Sequence, residues 1–455
     1  MGVHNDNLGR SSQTTRRSAL PKLTGLQTIS LPQGKAPPVA PDIASAVSGP
    51  LTPSSNMLEG RPLKILVAPS GFKESLGPER VSDAIETGLR RVLPIQGADI
   101  RKLPLHDGGE GFCRALVAAH DGRIEDLEVT GPLGQPVKAH IGFVDGGKTA
   151  VLDMAAAAGL RLVPRDRRDP TVTTTYGVGE LIKVALDAGC TKIIVGCGDS
   201  GTSDGGAGML EALGLRFIDF DGNDFRVADG AHSLFRVHKL HWGNIHPKLY
   251  GIAEGTISIE AVCNIKNVLC GPTGVARVYG PQKGATPDQV EILATSLDRW
   301  ATVAGEELNT DVSSTPGSGA SGGLGTGLML LGAKLRPRSD AISEYFGFDR
   351  VFETKWDFVI TAEGSLDFQS TQGKMTTEVA RLAEQHGAQV VALAGTIGEG
   401  ADGCYKSGIK AFTGILKGPS SLEKAIAETK SLVEDGAENV IRLILVGLAL
   451  GSRNE

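Results

Sequence analysis

The chain has 455 residues, too many for one ordinary hydrophobic core, so more than one sheet-based unit is expected. An apolar content of 40% with 22% charged residues describes a soluble globular protein, and a formal net charge of -6 gives no basic field for nucleic acid. The six cysteines form no C-x-x-C pair, which argues against a zinc ribbon or a disulfide framework and for a reducing compartment.

Residues 1–61 hold no aromatic residue, and seven prolines interrupt them amid Ser, Thr and Gly, so disorder is expected there. Arg10, Arg16, Arg17 and Lys22 raise a mitochondrial presequence. The prolines break the amphipathic stripe such a signal needs, and a cytoplasmic protein is expected. From Leu63 the chain alternates strand and helix: Lys64–Pro69, Pro78–Leu93, Ile100–Leu105 and Phe112–Ala119. That rhythm predicts a parallel sheet with helices on its faces. Close-spaced strands at 124–130, 137–144 and 149–153 then read as a meander. A helix over 173–188 follows. Beyond it lie a strand at 193–195, a glycine-rich loop and a helix ending at Gly214. Helices are expected at 287–303, 328–335, 376–385 and 421–450, with strands at 357–361 and 390–394. The predicted fold class is α/β: a doubly wound parallel-sheet domain from 62–125 and 286–455, with a second α/β domain, 126–285, inserted. The longest apolar run, Leu443–Leu450, is too short to span a bilayer.

The loop Gly196–Gly208 carries the chemistry. Its glycines can aim backbone N–H groups at an anion, and Ser200, Gly205 and Gly206 are candidate phosphate contacts. Asp199 and Asp204 make it more than an anion cradle, because a carboxylate beside a phosphate needs a metal or a proton between them. Asp107, Glu110, Glu363 and Asp367 sit in further Gly-flanked loops after strands, where open α/β sheets bind ligands. Lys73, Lys283 and Lys374 can each hold a phosphate or carboxylate. Gly319–Gly323 reads as a helix start that faces an anion, with Gly322 and Gly323 open for approach.

Three patterns compete. Gly142–Thr149 matches a P-loop, but a strand follows where a helix is required, so a hairpin turn is expected. Gly319–Gly323 matches a nucleophile elbow without the preceding strand. Gly196–Gly201 matches the dinucleotide fingerprint, with Asp219 near the usual acid position, and leaves an NAD(P)-dependent dehydrogenase as the alternative.

Taken together, Gly71–Leu76, Asp107–Gly111, Thr130–Gly134, Thr173–Glu180, Asp204–Met209, Tyr279–Ala285, Pro316–Gly327 and Gly364–Lys374 resemble the bacterial and fungal glycerate kinase family over about 63–450. The sequence departs from the family at Ser70-Gly71 in place of Asp-Ser, at Ala362 and Ser365 in place of Gly and Arg, and at Val268 in place of Pro. The resemblance implies ATP-dependent phosphorylation of D-glycerate with Mg²⁺, 2-phosphoglycerate being the favoured product, in a cleft between two domains. It leaves a homo-oligomer open. Asp204 is the first choice for proton acceptor and Asp107 the second. Lys73 is placed in catalysis, Lys283 on substrate or phosphate, and Asp199 or Asp107 on the metal.

Overall fold

The computed structural model describes residues 61–451, apart from Lys73, Glu74, Asp107, Gln369 and Gly373. The expected disorder and the presequence reading of the first 60 residues therefore lie outside the described residues. The chain opens with β1 (Leu63–Val67), α1 (Pro78–Arg90), β2 (Ala98–Lys102) and α2 (Phe112–Ala119). Pro78 starts α1, where its missing N–H costs nothing, and Val81, Ala84, Ile85 and Leu89 form the buried face.

The meander follows as β3 (Arg123–Thr130), β4 (Pro136–Val144) and β5 (Thr149–Asp153), with antiparallel pairing at both junctions. Asp145, Gly146 and Gly147 all have positive φ and close the second hairpin, so the P-loop pattern is a turn. Then come α3 (Met154–Ala158), α4 (Tyr176–Asp187), β6 (Lys192–Gly196) and α5 (Ala207–Ala212). A small antiparallel sheet of β7 (Arg216–Ile218), β8 (Asp224–Phe225) and β9 (Lys239–His241) is followed by α6 (Tyr250–Ala253) and β10 (Ser258–Cys263). The second large sheet is completed after α7 (Val275–Tyr279), α8 (Pro287–Leu308) and α9 (Ala320–Leu330) by β11 (Lys334–Pro337). Its order is β11-β10-β6-β5-β4-β3. A helix was expected through Leu335. Gly332, at φ +77°, ends it, and Lys334–Pro337 pair in parallel with β10.

The last stretch comprises α10 (Arg338–Phe346), α11 (Phe348–Phe352), β12 (Phe358–Leu366), α12 (Met375–Gln385), β13 (Gln389–Ile397), β14 (Ile409–Gly414) and α13 (Leu422–Gly451). The first sheet is all parallel in the order β14-β13-β12-β1-β2. Counted along the chain this is 2-1-3-4-5, a doubly wound order whose direction reverses between β1 and β12.

The seam expected at 285/286 is displaced. Residues 286–337 belong with the second sheet, because α8 buries Leu293, Leu297 and Trp300 in the core over that sheet and β11 extends its edge. The chain rejoins the first sheet at Phe358.

Strand alternation sorts the core into layers. In β1, Leu63, Ile65 and Val67 face α1 and α13, whereas Leu66 faces the opposite way with Val359 of β12. In β5, β6 and β10, Ala150, Leu152, Ile193, Val195, Ile259 and Ala261 join the core under α4, α5, α8 and α9. Val151, Ile194 and Val262 face the other side, into the cluster that holds Leu66 and Val359. Phe112, Leu116 and Val117 of α2, Ile342 of α10 and Phe348 of α11 fill that shared cluster.

Candidate active site

The loop after β6 is mostly interior. Thr202, Ser203 and Asp204 are 0% exposed, and Gly198, Asp199 and Ser200 alone among Gly196–Gly208 are half-buried. Asp199 adopts φ +50°, a strained conformation for a non-glycine residue, and it turns the chain out of β6. Its carbonyl accepts the Leu160 N–H, and its carboxylate accepts the Glu110 N–H at 3.3 Å.

Asp204 is placed differently from the expectation of a carboxylate held at a cleft. Oδ2 accepts from Thr175 N at 2.7 Å, Thr175 Oγ1 at 2.9 Å and Gly208 N at 3.2 Å, and Oδ1 accepts from Gly206 N at 3.1 Å. Burial raises its pKa against the pull of those donors. It ties α4 to α5 and is closed off from solvent.

Lys283 lies behind the same loop, 5% exposed. Its ammonium donates to Ser200 Oγ at 2.9 Å, to the Thr202 carbonyl and to Ser203 Oγ at 3.4 Å. Burial lowers its pKa to about 7, and the Asp204 charge opposes that shift. All three of these partners belong to the loop after β6, and Ser200 is the one of them that is half-buried rather than buried.

The predicted glycines converge here, chiefly for packing. A side chain at Gly205 would strike the Trp300 ring, whose Nε1 donates to the Gly205 carbonyl at 3.0 Å. Gly206 abuts Gly327 of α9, a Cβ at Gly323 would lie 2.7 Å from the Gly205 Cα, and one at Gly322 would overlap the Thr202 carbonyl. Ser321, Gly322 and Gly323 have φ of +51°, +72° and +89°, so α9 starts with three left-handed residues, a shape that gathers N–H groups. The Ser321 and Thr202 hydroxyl oxygens are buried with no hydrogen-bond partner. They are polar groups whose needs a ligand or water would meet.

Glu363, Asp367 and Lys374 form a second cluster, at the reversal point between β1 and β12. Glu363 was expected in a loop, but β12 continues to Leu366 and pairs Glu363 with Ala394 of β13. Lys374 Nζ lies 3.7 Å from Glu363 and 3.5 Å from Asp367, and donates to the Ser365 carbonyl at 2.9 Å. Ser370 Oγ donates to Glu363 at 2.7 Å. Burial raises the Glu363 pKa, chiefly against the pull of Lys374. Ser70 donates to the Ala362 carbonyl at 3.1 Å, bringing the β1 loop to the same place. Lys73 and Asp107 lie outside the described residues.

Sequence reasoning missed Arg161 and Asp153. Arg161 lies 2.8 Å from Glu110 beside the Asp199 turn, where burial raises the Glu110 pKa. Asp153 at the end of β5 is 0% exposed and accepts from Gly111 N at 2.9 Å and Cys113 N at 2.7 Å. An acid ending an apolar strand was the available signal. Among the described residues no group of three or more His, Cys, Asp or Glu is arranged to hold a metal. No helix among them is long and apolar enough to cross a membrane.

The dinucleotide reading fails on geometry. A Rossmann helix opens within the fingerprint, whereas α5 does not begin until Ala207. Comparison with known proteins agrees. The model of the glycerate kinase family matches residues 65–445. The chain is 41% identical to a glycerate kinase of Bacillus subtilis, covering 83% of this chain and 97% of the relative. It is 37% identical to the glycerate 2-kinase of Escherichia coli, covering 85% and 99%. A crystal structure assigned as glycerate kinase 2 from Salmonella typhimurium LT2 superposes with a TM-score of 0.65 at 39% identity, over 85% of this chain and 99% of that one. The doubly wound sheet, the acid- and glycine-bearing loops at its strand ends and these full-length matches together make the chain a member of the glycerate kinase family.

Proposed function

We propose that the protein transfers the γ-phosphoryl group of ATP to D-glycerate with Mg²⁺, forming 2-phosphoglycerate in preference to the 3-isomer, between the two sheets. The observation that carries this reading is the half-buried Asp199–Ser200 turn backed by Lys283, in a chain that aligns with glycerate kinases over nearly their whole length. In-line transfer asks a protein for positioning and charge stabilisation. Ser200, polarised by Lys283, presents a hydroxyl to an anionic oxygen. The left-handed start of α9 and the unpartnered Ser321 hydroxyl supply further polar groups for the same anion. Lys374, flanked by Glu363 and Asp367 at the reversal point of the first sheet, is assigned to the other end of the reacting pair.

The donor set suits Mg²⁺, which takes oxygen ligands and keeps most of them as water and phosphate. Asp199 is the described carboxylate that would hold it, and Asp107 is its proposed companion. When bound, Mg²⁺ neutralises charge on the phosphate oxygens. Asp107 also becomes the first choice for proton acceptor, since Asp204 is enclosed. The six free cysteines support a reducing, cytoplasmic setting.

A coupled ADP-release assay with D-glycerate, ATP and Mg²⁺ tests this, with phosphorus NMR of the product. ADP release dependent on D-glycerate and a 2-phosphate resonance are expected. ADP release without phosphoglycerate, or no turnover, would refute the reading.

A further inference from the structure

The loop Gly108–Gly111 springs from the first sheet but is moored on the second. Gly111, the N-cap of α2, has φ +89° and no side-chain cap of its own helix. The cap comes from across the core, since Asp153 of β5 accepts the N–H groups of Gly111 and Cys113 with its two oxygens. A buried carboxylate on the first turn of a helix meets unpaired donors and the positive end of the helix dipole. Phe112 between them packs over Gly196, where a Cβ would touch its ring at 2.7 Å, and Cys113 Sγ donates to the Val151 carbonyl at 3.2 Å. The loop before that first turn lies against the turn after β6. A Cβ at Gly198 would lie 2.7 Å from the Gly109 Cα, and Glu110 N donates to Asp199. His140 Nε2 lies 3.6 Å from Asp153 Oδ2, and both side chains are buried.

We propose that Asp153 is a positioning residue of this enzyme: it holds the Gly108–Gly111 loop against the Cys197–Asp199 turn and so sets the relation of the two sheets' strand-end loops during phosphoryl transfer. This rests on reading the Asp199–Ser200 turn as part of the active site. A cap that served stability alone would leave turnover of the folded enzyme untouched, whereas misplacement of a reacting group by about 1 Å costs up to roughly a hundredfold.

The test uses the full chain and two variants. Asp153→Asn keeps the volume but leaves one acceptor oxygen for two donors. Gly198→Ala leaves Asp153 intact and pushes the loop off the β6 turn. Measurements are kcat, KM for D-glycerate and for ATP, and amide exchange of the 108–116 segment. For Asp153→Asn, faster exchange at Gly111 and Cys113 is expected, with kcat down by roughly ten- to a hundredfold and both KM values within about twofold. Gly198→Ala is expected to lower kcat on the same scale with exchange at Gly111 and Cys113 unchanged, which keeps the test decisive if Asp153→Asn does not fold. An unmodified chain that turns over beside variants of unchanged kcat overturns the proposal alone. An unmodified chain with no glycerate-dependent ADP release removes the reading beneath it and this proposal with it.

Discussion

Asp204 spends both carboxylate oxygens on backbone that two helices need, and that fixes what its replacement will do. Asp204→Asn puts an amide NH₂ where an oxygen now accepts, facing an N–H. It should cost about 1–3 kcal/mol of stability, the range for an unmet buried polar group. Turnover per folded molecule should stay within several-fold of the unmodified chain. Thermal unfolding beside kcat checks both, and unchanged stability with a hundredfold fall in turnover would return Asp204 to the role of base. The sequence showed an acid between glycines. It could not show that Thr175, 29 residues earlier, claims that acid. Lys283 makes a second prediction. Its folded pKa of about 7 lies below the ordinary 10.5, so between those values the unfolded chain binds more protons than the folded one. Stability contributed at this site therefore rises with pH across that window and is flat below it. Urea unfolding at pH 6, 8 and 10 should show that rise in the unmodified chain and not in Lys283→Met.

At the scale of elements, two glycines with nearly the same φ separate backbone strain from space. Gly134, at +76°, has nothing within 4 Å of the point a Cβ would occupy, so Gly134→Ala should cost only the left-handed penalty of about 1–2 kcal/mol. Gly322, at +72°, faces the Thr202 carbonyl and the Lys283 ammonium, so Gly322→Ala must also push α9 off the loop. Its loss of stability should exceed that of Gly134→Ala by a further ~1–3 kcal/mol, measured by denaturant midpoint at constant slope. The elements themselves were largely legible, since the meander of β3 to β5 and the α1, α2 and α12 faces follow from alternation and helical period. Less legible was ownership. An amphipathic helix such as α8 states that it has a buried face, not which sheet covers it, and the misplaced seam follows from that. β12 ran past its expected end because Ala362-Glu363-Gly364-Ser365 has the composition of a turn, while its ladder with β13 is a tertiary fact.

For the whole molecule, the described chain begins with Arg61, whose guanidinium bonds both oxygens of Asp357 at 2.8 and 2.7 Å. Residues 1–60 hold no aromatic residue to anchor them on a core, so removing them should leave kcat unchanged, and a fall in kcat would show that the extension serves the reaction. Extending the cut through Arg61 should cost about 1 kcal/mol, because Arg61 is half exposed and Asp357, though more buried, keeps the Lys64 N–H at 2.8 Å. The cluster that receives Leu66 and Val359 from one sheet and Val151, Ile194 and Val262 from the other lets neither sheet finish its interior alone. The truncated chain should unfold in one calorimetric transition, and two resolved transitions would contradict the shared layer. The same arrangement has a consequence for synthesis. β1 lies in the middle of its sheet, and its neighbour on one side, β12, pairs Ile65 with Phe358. Everything between them must be translated before that ladder can close, and β1 meanwhile offers a bare edge to any other strand. About 290 residues separate the two strands, so the nascent chain carries that edge unpaired on this side, and open to its neighbours, while the whole stretch is made.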